Sequence, residues 1–372
     1  MPATGDRITK RKDGRYMARY TVQTAEGPKR RTIYSRSYQE VERKLAEARG
    51  DAARGLIFDA DNLKLGEYLE RWLADSVAGT VRPTTFERYE QIVRLHIRPA
   101  LGRLKLKNVT PAHVRGLYRD KLEVGLSPRT VQYVHVTLHK ALKQAVADGL
   151  IPRNATEAVK PPQVHREEIH PLTPEQVKQL LEVAKGDRLE ALYVLAVTTG
   201  LRQGELLGLK WEDVDLEAGT LRVRRTLTSA KGGPMLAAPK TKGSRRTVRL
   251  SRTALEALRE HLERQLGEID RAGELWRENG LIFASEVGEP LSRQHVTAHR
   301  FKPLLKRAGL PQIRFHDLRH TCATLLLSKN VNPKVVSEML GHATIAITLD
   351  TYSHVLPTMQ ESAAKAMEDA LT

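Results

Sequence analysis

A phenol, two imidazoles and a guanidinium lie close together between Phe315 and Val355: Tyr352, His316, His342 and Arg319. Such a set can handle a phosphate. The phenol can attack, the imidazoles can donate or move protons, and the guanidinium can hold two equatorial oxygens. Each group alone is ordinary, since a single His after a helix commonly caps it and a single Tyr commonly packs. The grouping is what points to chemistry.

Short helices must position these groups. His316 and Arg319 are three residues apart, so on a helix they share one face. Leu318, Leu325, Leu326 and Leu327 supply the opposite, apolar side. Asn332 as a cap and Pro333 in the first turn open a second helix that runs to Leu340. Gly341 suits the left-handed position that stops it, and His342 follows at once. Tyr352 comes after Thr344–Leu349, with His354 nearby.

The rest of the chain must fit that chemistry. Its 372 residues exceed a single core, so two or three domains are expected. Only 5 Phe and 3 Trp favour helices packed through Leu, Ala and Val over an aromatic-rich sandwich. The formal net charge of +17 points to a polyanion, whether DNA, RNA or an anionic membrane. No apolar run approaches the roughly 20 residues needed to span a bilayer, and no N-terminal signal segment is expected. That weakens the membrane option. Cys322 is the sole cysteine, which excludes an intrachain disulfide and a cysteine metal cluster. It reads as buried and inert, in a reducing, cytoplasmic interior.

Residues 1–58 read as a small basic module, with 14 Lys or Arg against 7 Asp or Glu. Strands are expected at Arg7–Lys10, Tyr16–Gln23 and Lys29–Tyr34, with turns at Lys12-Asp13-Gly14 and Glu26-Gly27. Ser37, with Glu40 completing a capping box, opens a helix to about Arg49. The basic strands and the interleaved Tyr16, Tyr20 and Tyr34 could enter a DNA groove. Residues 63–155 read as a helical domain with helices at Leu63–Leu73, Thr84–Ile97, Pro111–Glu123 and Ser127–Asp148. Thr110-Pro111 and Ser127-Pro128 are cap-then-proline starts. Ile151–Ile169, with Pro152, Pro161 and Pro162, reads as the boundary between domains. From His170 to residue 372 the chain reads as one larger unit. Helices are expected at Pro174–Val183, Arg188–Thr199, Thr253–Ala272 and Ser292–Ala308, and strands at Val214–Leu216, Thr220–Arg224 and Arg246–Leu250. A Lys-, Gly- and Ser-rich loop joins the last two strands, and Met359–Leu371 reads as a short amphipathic helix.

Five spaced segments, TTGLRQGELLGLKW, PKTKGSRRTVRL, HDLRH, LGH and LDTYSH, resemble in this order the tyrosine recombinase family, above all phage and conjugative-element integrases. The likeness covers the catalytic end and extends more weakly over the other modules. It implies a mixed α/β multidomain protein: a three-stranded β plus helix N-terminal module, an all-helical core-binding domain, and a mainly helical catalytic domain with a small β-sheet. It implies Tyr352 as nucleophile, Arg202 and Arg319 as the clamp on the scissile phosphate, and His316 and His342 as its hydrogen-bonding or proton-exchanging partners. The acid for the leaving 5′ oxygen would be Lys240 or Lys242, both in the strand loop, with Lys240 favoured. The resemblance also implies an arm-site role for residues 1–58, and helical and catalytic domains clamping duplex attachment sites. Four protomers would work on two duplexes, with a DNA-bending or excision accessory protein as a further candidate partner.

The chemistry of the residues agrees. Charge gathers on the phosphate oxygens in the transition state, and two preplaced arginines stabilise it. A phenol with a reference pKa of about 10 needs a proton acceptor as it attacks, and the leaving alkoxide needs a donor. Asp and Glu form no clustered carboxylate motif, so a reaction with no metal and no cofactor is expected. A covalent phosphotyrosyl bond would conserve the energy of the broken phosphodiester. A DNA-binding regulator without catalysis and a type IB topoisomerase-like strand relaxer are the alternatives. The complete residue set argues against the first, and the basic N-terminal module and LDTYSH spacing against the second.

Overall fold

Alternating side chains make the first sheet of the computed structural model, which describes residues 7–24, 27–53, 62–164, 170–230, 233–238, 245–352, 364 and 367–371. Strands β1 (Thr9–Lys10), β2 (Tyr16–Thr24) and β3 (Gly27–Ser35) form an antiparallel meander, registered from Tyr16↔Ser35 to Thr24↔Gly27. Along β2, Ala18 turns inward while Arg19 and Thr21 face water, the period-two pattern of a half-buried strand. Helix α1 (Tyr38–Ala53) covers one face, where Val41 and Leu45 meet Ala18 with Ile8, Tyr16, Tyr20 and Ile33 around them. The reciprocal cap expected at α1 is half made. Ser37 Oγ accepts from the Glu40 amide at 3.4 Å, but the Glu40 carboxylate is drawn instead to Ser35 Oγ and, at 2.6 Å, to Lys44 Nζ. A cation one turn along the helix outcompetes a backbone amide for that carboxylate.

The module belongs to the first of two compact units, Met1–Arg166, whose larger part is helical. Helices α2 (Leu65–Arg71) and α3 (Pro83–Ile92) each continue into a wider π-type turn, Trp72–Val77 and Val93–Ile97. Then come α4 (Arg98–Leu101), α5 (Pro111–Glu123) and α6 (Pro128–Ala147). Thr110 and Ser127 cap α5 and α6 by accepting from the His113 and Thr130 amides, with proline in each first turn. Leu65, Leu69, Ile97, Val114, Val131, Leu138 and Leu142 fill the core. The expected boundary segment begins later than its prolines suggest. Ile151, Ala155 and Val159 are buried in this same core, and Asn154 Nδ2 donates to the His139 carbonyl at 3.1 Å. Residues four apart can face one core without a regular helix, so loss of helical periodicity did not mean loss of packing.

The second unit, Glu167–Thr372, is built on α8 (Glu190–Thr199), whose residues Ala191–Val197 are all buried. A helix apolar all round belongs at the centre, and α7 (Pro174–Ala184), α10 (Arg252–Ala272) and α13 (Asp317–Ser328) pack on it. A sheet of order β4 (Val214–Asp215), β5 (Thr220–Val223), β8 (Arg246–Arg249) is antiparallel throughout. The segment read as a plain loop between β5 and β8 contains a hairpin, β6 (Thr226–Ala230) with β7 (Gly233–Ala237). Buried Leu227 anchors it. The overall Lys, Gly and Ser content of the segment concealed these two strands. The hairpin lies against α9 (Gln203–Leu206), where a Cβ on Gly204 would meet Thr226 Oγ1 at 2.7 Å and the Leu227 carbonyl at 2.8 Å. Helices α11 (Arg293–His295), α12 (Lys302–Arg307), α14 (Pro333–Leu340) and α15 (Ile345–Tyr352) complete the unit. Of the expected terminal helix, residues 364 and 367–371 are helical, with Met367 and Leu371 exposed, and 359–363 and 365–366 lie outside the described residues. Among the described residues no helix is long and apolar enough to cross a membrane.

Candidate active site

Two helix-ending glycines hold the two arginines. Gly200 closes α8 at φ 61°, and its carbonyl accepts from Arg319 Nη1 at 2.8 Å. Gly341 closes α14 at φ 67°, and its carbonyl accepts from Arg202 Nη2 at 3.2 Å. Both glycines occupy the left-handed region where a Cβ is strained. At Gly200 a Cβ would also strike Leu340 Cδ2 and approach Cys322 Sγ at 3.3 Å. Carbonyls left over at helix ends thus become anchors for guanidinium groups carried by other helices.

A buried carboxylate braces the same cluster. Glu205, 3% exposed, accepts from the Arg202 amide at 3.1 Å, from Arg202 Nη1 at 2.7 Å and from Arg246 Nη2 at 3.0 Å. Arg246 Nε also donates to the Met339 carbonyl, at 2.5 Å. Burial alone would raise the Glu205 pKa, but Arg246, then Arg202, outweigh it and hold the carboxyl below its usual range. Arg319 is 3% exposed, and its Nη2 is buried with no acceptor among the described residues. An unmet buried donor costs about 1–3 kcal/mol. Burial, then the Arg202 charge, brings the Arg319 pKa down to about 10, so it stays cationic at neutral pH.

Tyr352 ends α15 buried, at 1% exposure, among Ala323, Leu327, Val336 and Leu340. Its hydroxyl hydrogen-bonds to His320 Nδ1 at 2.7 Å. Burial raises the phenol's pKa, and the Arg319 charge opposes that rise. His342 Nδ1 hydrogen-bonds to Thr348 Oγ1 at 2.7 Å, and burial, then Arg319 and Arg202, pushes its pKa down to about 4. His316 sits at the start of α13 on the exposed rim, where the protein packed about its inner edge, then His320 and Arg319, lowers its basicity. Phenol, imidazoles and guanidinium groups therefore share one electrostatic neighbourhood suited to a phosphate.

The phage integrase family pattern matches residues 170–359, half of the chain, and a phage integrase N-terminal SAM-like pattern matches residues 64–122. The chain belongs to the phage integrase family of tyrosine recombinases. Its activity is that of a site-specific recombinase, an enzyme of DNA strand transfer. A tyrosine recombinase XerC-like protein of Caldanaerobacter subterraneus subsp. tengcongensis is 34% identical over 91% of this chain and 92% of that protein. The ICEBs1 integrase of Bacillus subtilis is 27% identical over 78% of this chain and 79% of its own. Among solved structures, the Tn1549 transposon integrase in complex with transposon right end DNA shares the fold. Its TM-score is 0.69 at 24% identity, covering 83% of this chain and all of that one.

Within this recombinase fold, Arg202, Arg319, His316, His342 and Tyr352 come together. Lys240, Lys242 and His354 lie outside the described residues. The shared face expected for His316 and Arg319 is not formed. His316 occupies the cap position, its ring meets His320 edge-on at 5.1 Å, and Arg319 turns inward to Gly200. His316 and His320, four apart, instead bring their rings together. Three participants were missed: His320, Glu205 and Arg246. The His316–His320 spacing was a usable signal. Nothing local marked Glu205 and Arg246, which lie 41 residues apart.

Proposed function

We propose that this recombinase cuts duplex attachment sites by attack of Tyr352 on the scissile phosphate, forming a 3′-phosphotyrosyl bond that a new 5′ hydroxyl then resolves, integrating or excising a mobile element. The observation that carries the reading is the unmet Nη2 of buried Arg319 in a neighbourhood containing Arg202, His342 and the Tyr352 phenol. A buried donor held cationic calls for an anion, and a phosphate oxygen satisfies it. Arg202 and Arg319 stabilise charge on the non-bridging oxygens. His342 and His316 donate hydrogen bonds there, and Lys240 or Lys242 protonates the leaving 5′ oxygen.

Residues 1–58 serve as an arm-type DNA-binding module, 63–155 as the core DNA-binding domain and 170–372 as the catalytic domain. Exposed Arg11 and Arg15 in the turn between β1 and β2, and Arg43 on α1, support the first assignment. Four protomers pair on two duplexes, helped by a DNA-bending accessory protein, in the cytoplasm. A lambda integrase tetramer bound to a Holliday junction has the same fold, at a TM-score of 0.59.

The test is a nicked duplex spanning the junctions of the host element, incubated with the full chain in EDTA. A covalent adduct on a denaturing gel is expected with the wild type and not with Tyr352→Phe. An adduct from Tyr352→Phe would remove the nucleophile assignment, and an EDTA-sensitive adduct would remove metal independence.

A further inference from the structure

The attacking phenol needs somewhere to put its proton, and burial denies it bulk water. Among the described residues the Tyr352 hydroxyl has one hydrogen-bond partner, His320 Nδ1 at 2.7 Å, with the two rings 5.7 Å apart. The other nearby groups do not serve. Arg319 has only donors to offer. His342 has its Nδ1 committed to Thr348 Oγ1, and His316 meets the His320 ring edge-on at 5.1 Å, with no hydrogen bond to the phenol among the described residues. With the phenol as donor, the imidazole of His320 carries its own proton on Nε2 and presents a lone pair at Nδ1.

We propose that His320 is a further catalytic residue of the strand-transfer reaction, taking the Tyr352 proton during cleavage and returning it during rejoining. The proposal rests on Tyr352 being the nucleophile. As the Oη–P bond forms and the P–O5′ bond breaks, the phenolic proton passes to Nδ1 and leaves an imidazolium. The departing 5′ oxygen takes its proton from the strand-loop lysine. When a 5′ hydroxyl attacks the phosphotyrosine, its proton goes back to that lysine. The P–Oη bond breaks, and Oη recovers its proton from His320. Protons and electron pairs balance over the cycle.

The surroundings keep His320 ready to accept. It faces Tyr352 of α15 and His342 of the turn before it, with Asp317 and Arg319 on its own helix and His316 and Arg314 just ahead. Half-burial lowers its pKa. Asp317 works against that, and Arg314 and Arg319 reinforce it, so the neutral ring prevails at neutral pH. The imidazolium left beside the phosphotyrosine is placed to protonate Oη as the P–Oη bond breaks, which suits an intermediate that must reverse.

His320→Asn decides the matter, because an amide oxygen reaches the position of Nδ1 and accepts the phenol's hydrogen bond but cannot hold its proton. Single-turnover adduct formation is measured on two nicked junction duplexes, one ordinary and one with sulfur in place of the bridging 5′ oxygen, whose thiolate leaves unprotonated. A loss of about 10²–10³-fold on both substrates is expected for His320→Asn and His320→Ala, with DNA affinity unchanged. The Lys240→Ala/Lys242→Ala double variant should recover on the sulfur substrate only. The wild-type rate should fall on the acid side as His320 protonates, and that limb should vanish in His320→Asn. A wild-type rate and pH profile in His320→Asn would overturn the proposal, leaving at most a positioning hydrogen bond. Adducts from Tyr352→Phe would instead overturn the nucleophile on which it rests.

Discussion

The N-terminal sheet and the catalytic cluster both concentrate positive charge, and they hold it in opposite ways. In the β1–β2 turn, Arg11 and Arg15 share Asp13, on α1 Arg43 pairs with Glu47 one turn along, and all are well exposed. Arg11 and Arg15 also lie over the exposed Tyr34 ring, 5.3 and 6.0 Å from its centre. In the cluster, Arg246 and Arg319 are buried and tied to backbone carbonyls or to Glu205. Solvated, mobile cations adapt to any phosphate backbone and are screened by salt. Braced cations in a dry site cannot adapt, and they need no reorganisation when charge develops in front of them. Under the proposed function, one arrangement suits encounter with DNA and the other suits a single geometry.

The sharpest way to break the contrast is at Arg319. Arg319→Ala should reduce adduct formation by about 10²–10³-fold while a gel-shift affinity for the junction duplex is kept. Equal losses of binding and cleavage would place Arg319 among the encounter charges. Next comes Glu205→Gln, which removes the buried carboxylate that Arg202 and Arg246 share. Denaturant unfolding of this variant should show a loss of about 3–5 kcal/mol, whereas Glu47→Gln on α1 should leave the midpoint unmoved.

A smaller effect should appear with pH. The His342 pKa is about 4 in the folded chain against 6.5 for the free side chain. The unfolded chain therefore binds that proton more tightly. The contribution is present in full above pH 6.5 and is lost as pH falls toward 4. Melting temperature should drop across that window, and less steeply in His342→Asn. Smallest of all, Arg19→Ala and Arg30→Ala, at exposed positions of β2 and β3, should each flatten the salt dependence of DNA binding by about one phosphate contact. Adduct formation, once DNA is saturating, should stay unchanged.

Local signals were legible where a side chain serves its own helix. Thr110, Ser127, Thr173 and Asn332 cap the helices that their prolines announce. Gly200 and Gly341 stop theirs in left-handed turns. The five catalytic candidates among the described residues were visible as motifs. What the sequence hid was side chains working at a distance. Arg246 reaches Met339 across 93 positions and Arg319 reaches Gly200 across 119, and no spacing rule spans such gaps. The β6–β7 hairpin was hidden differently, because its two short strands carry one buried anchor, Leu227, inside a polar stretch.

The paired glycine caps form a closed linkage. The helix that leads into Arg202 ends at the carbonyl that holds Arg319, and Arg202 in turn holds the end of the helix that delivers His342. Circuits of this kind have few independent joints. A displacement of either guanidinium shifts a helix terminus, and through it the other guanidinium. An oxygen that meets one arginine therefore finds its companion and the neighbouring imidazole already tied to the same pair of helix ends.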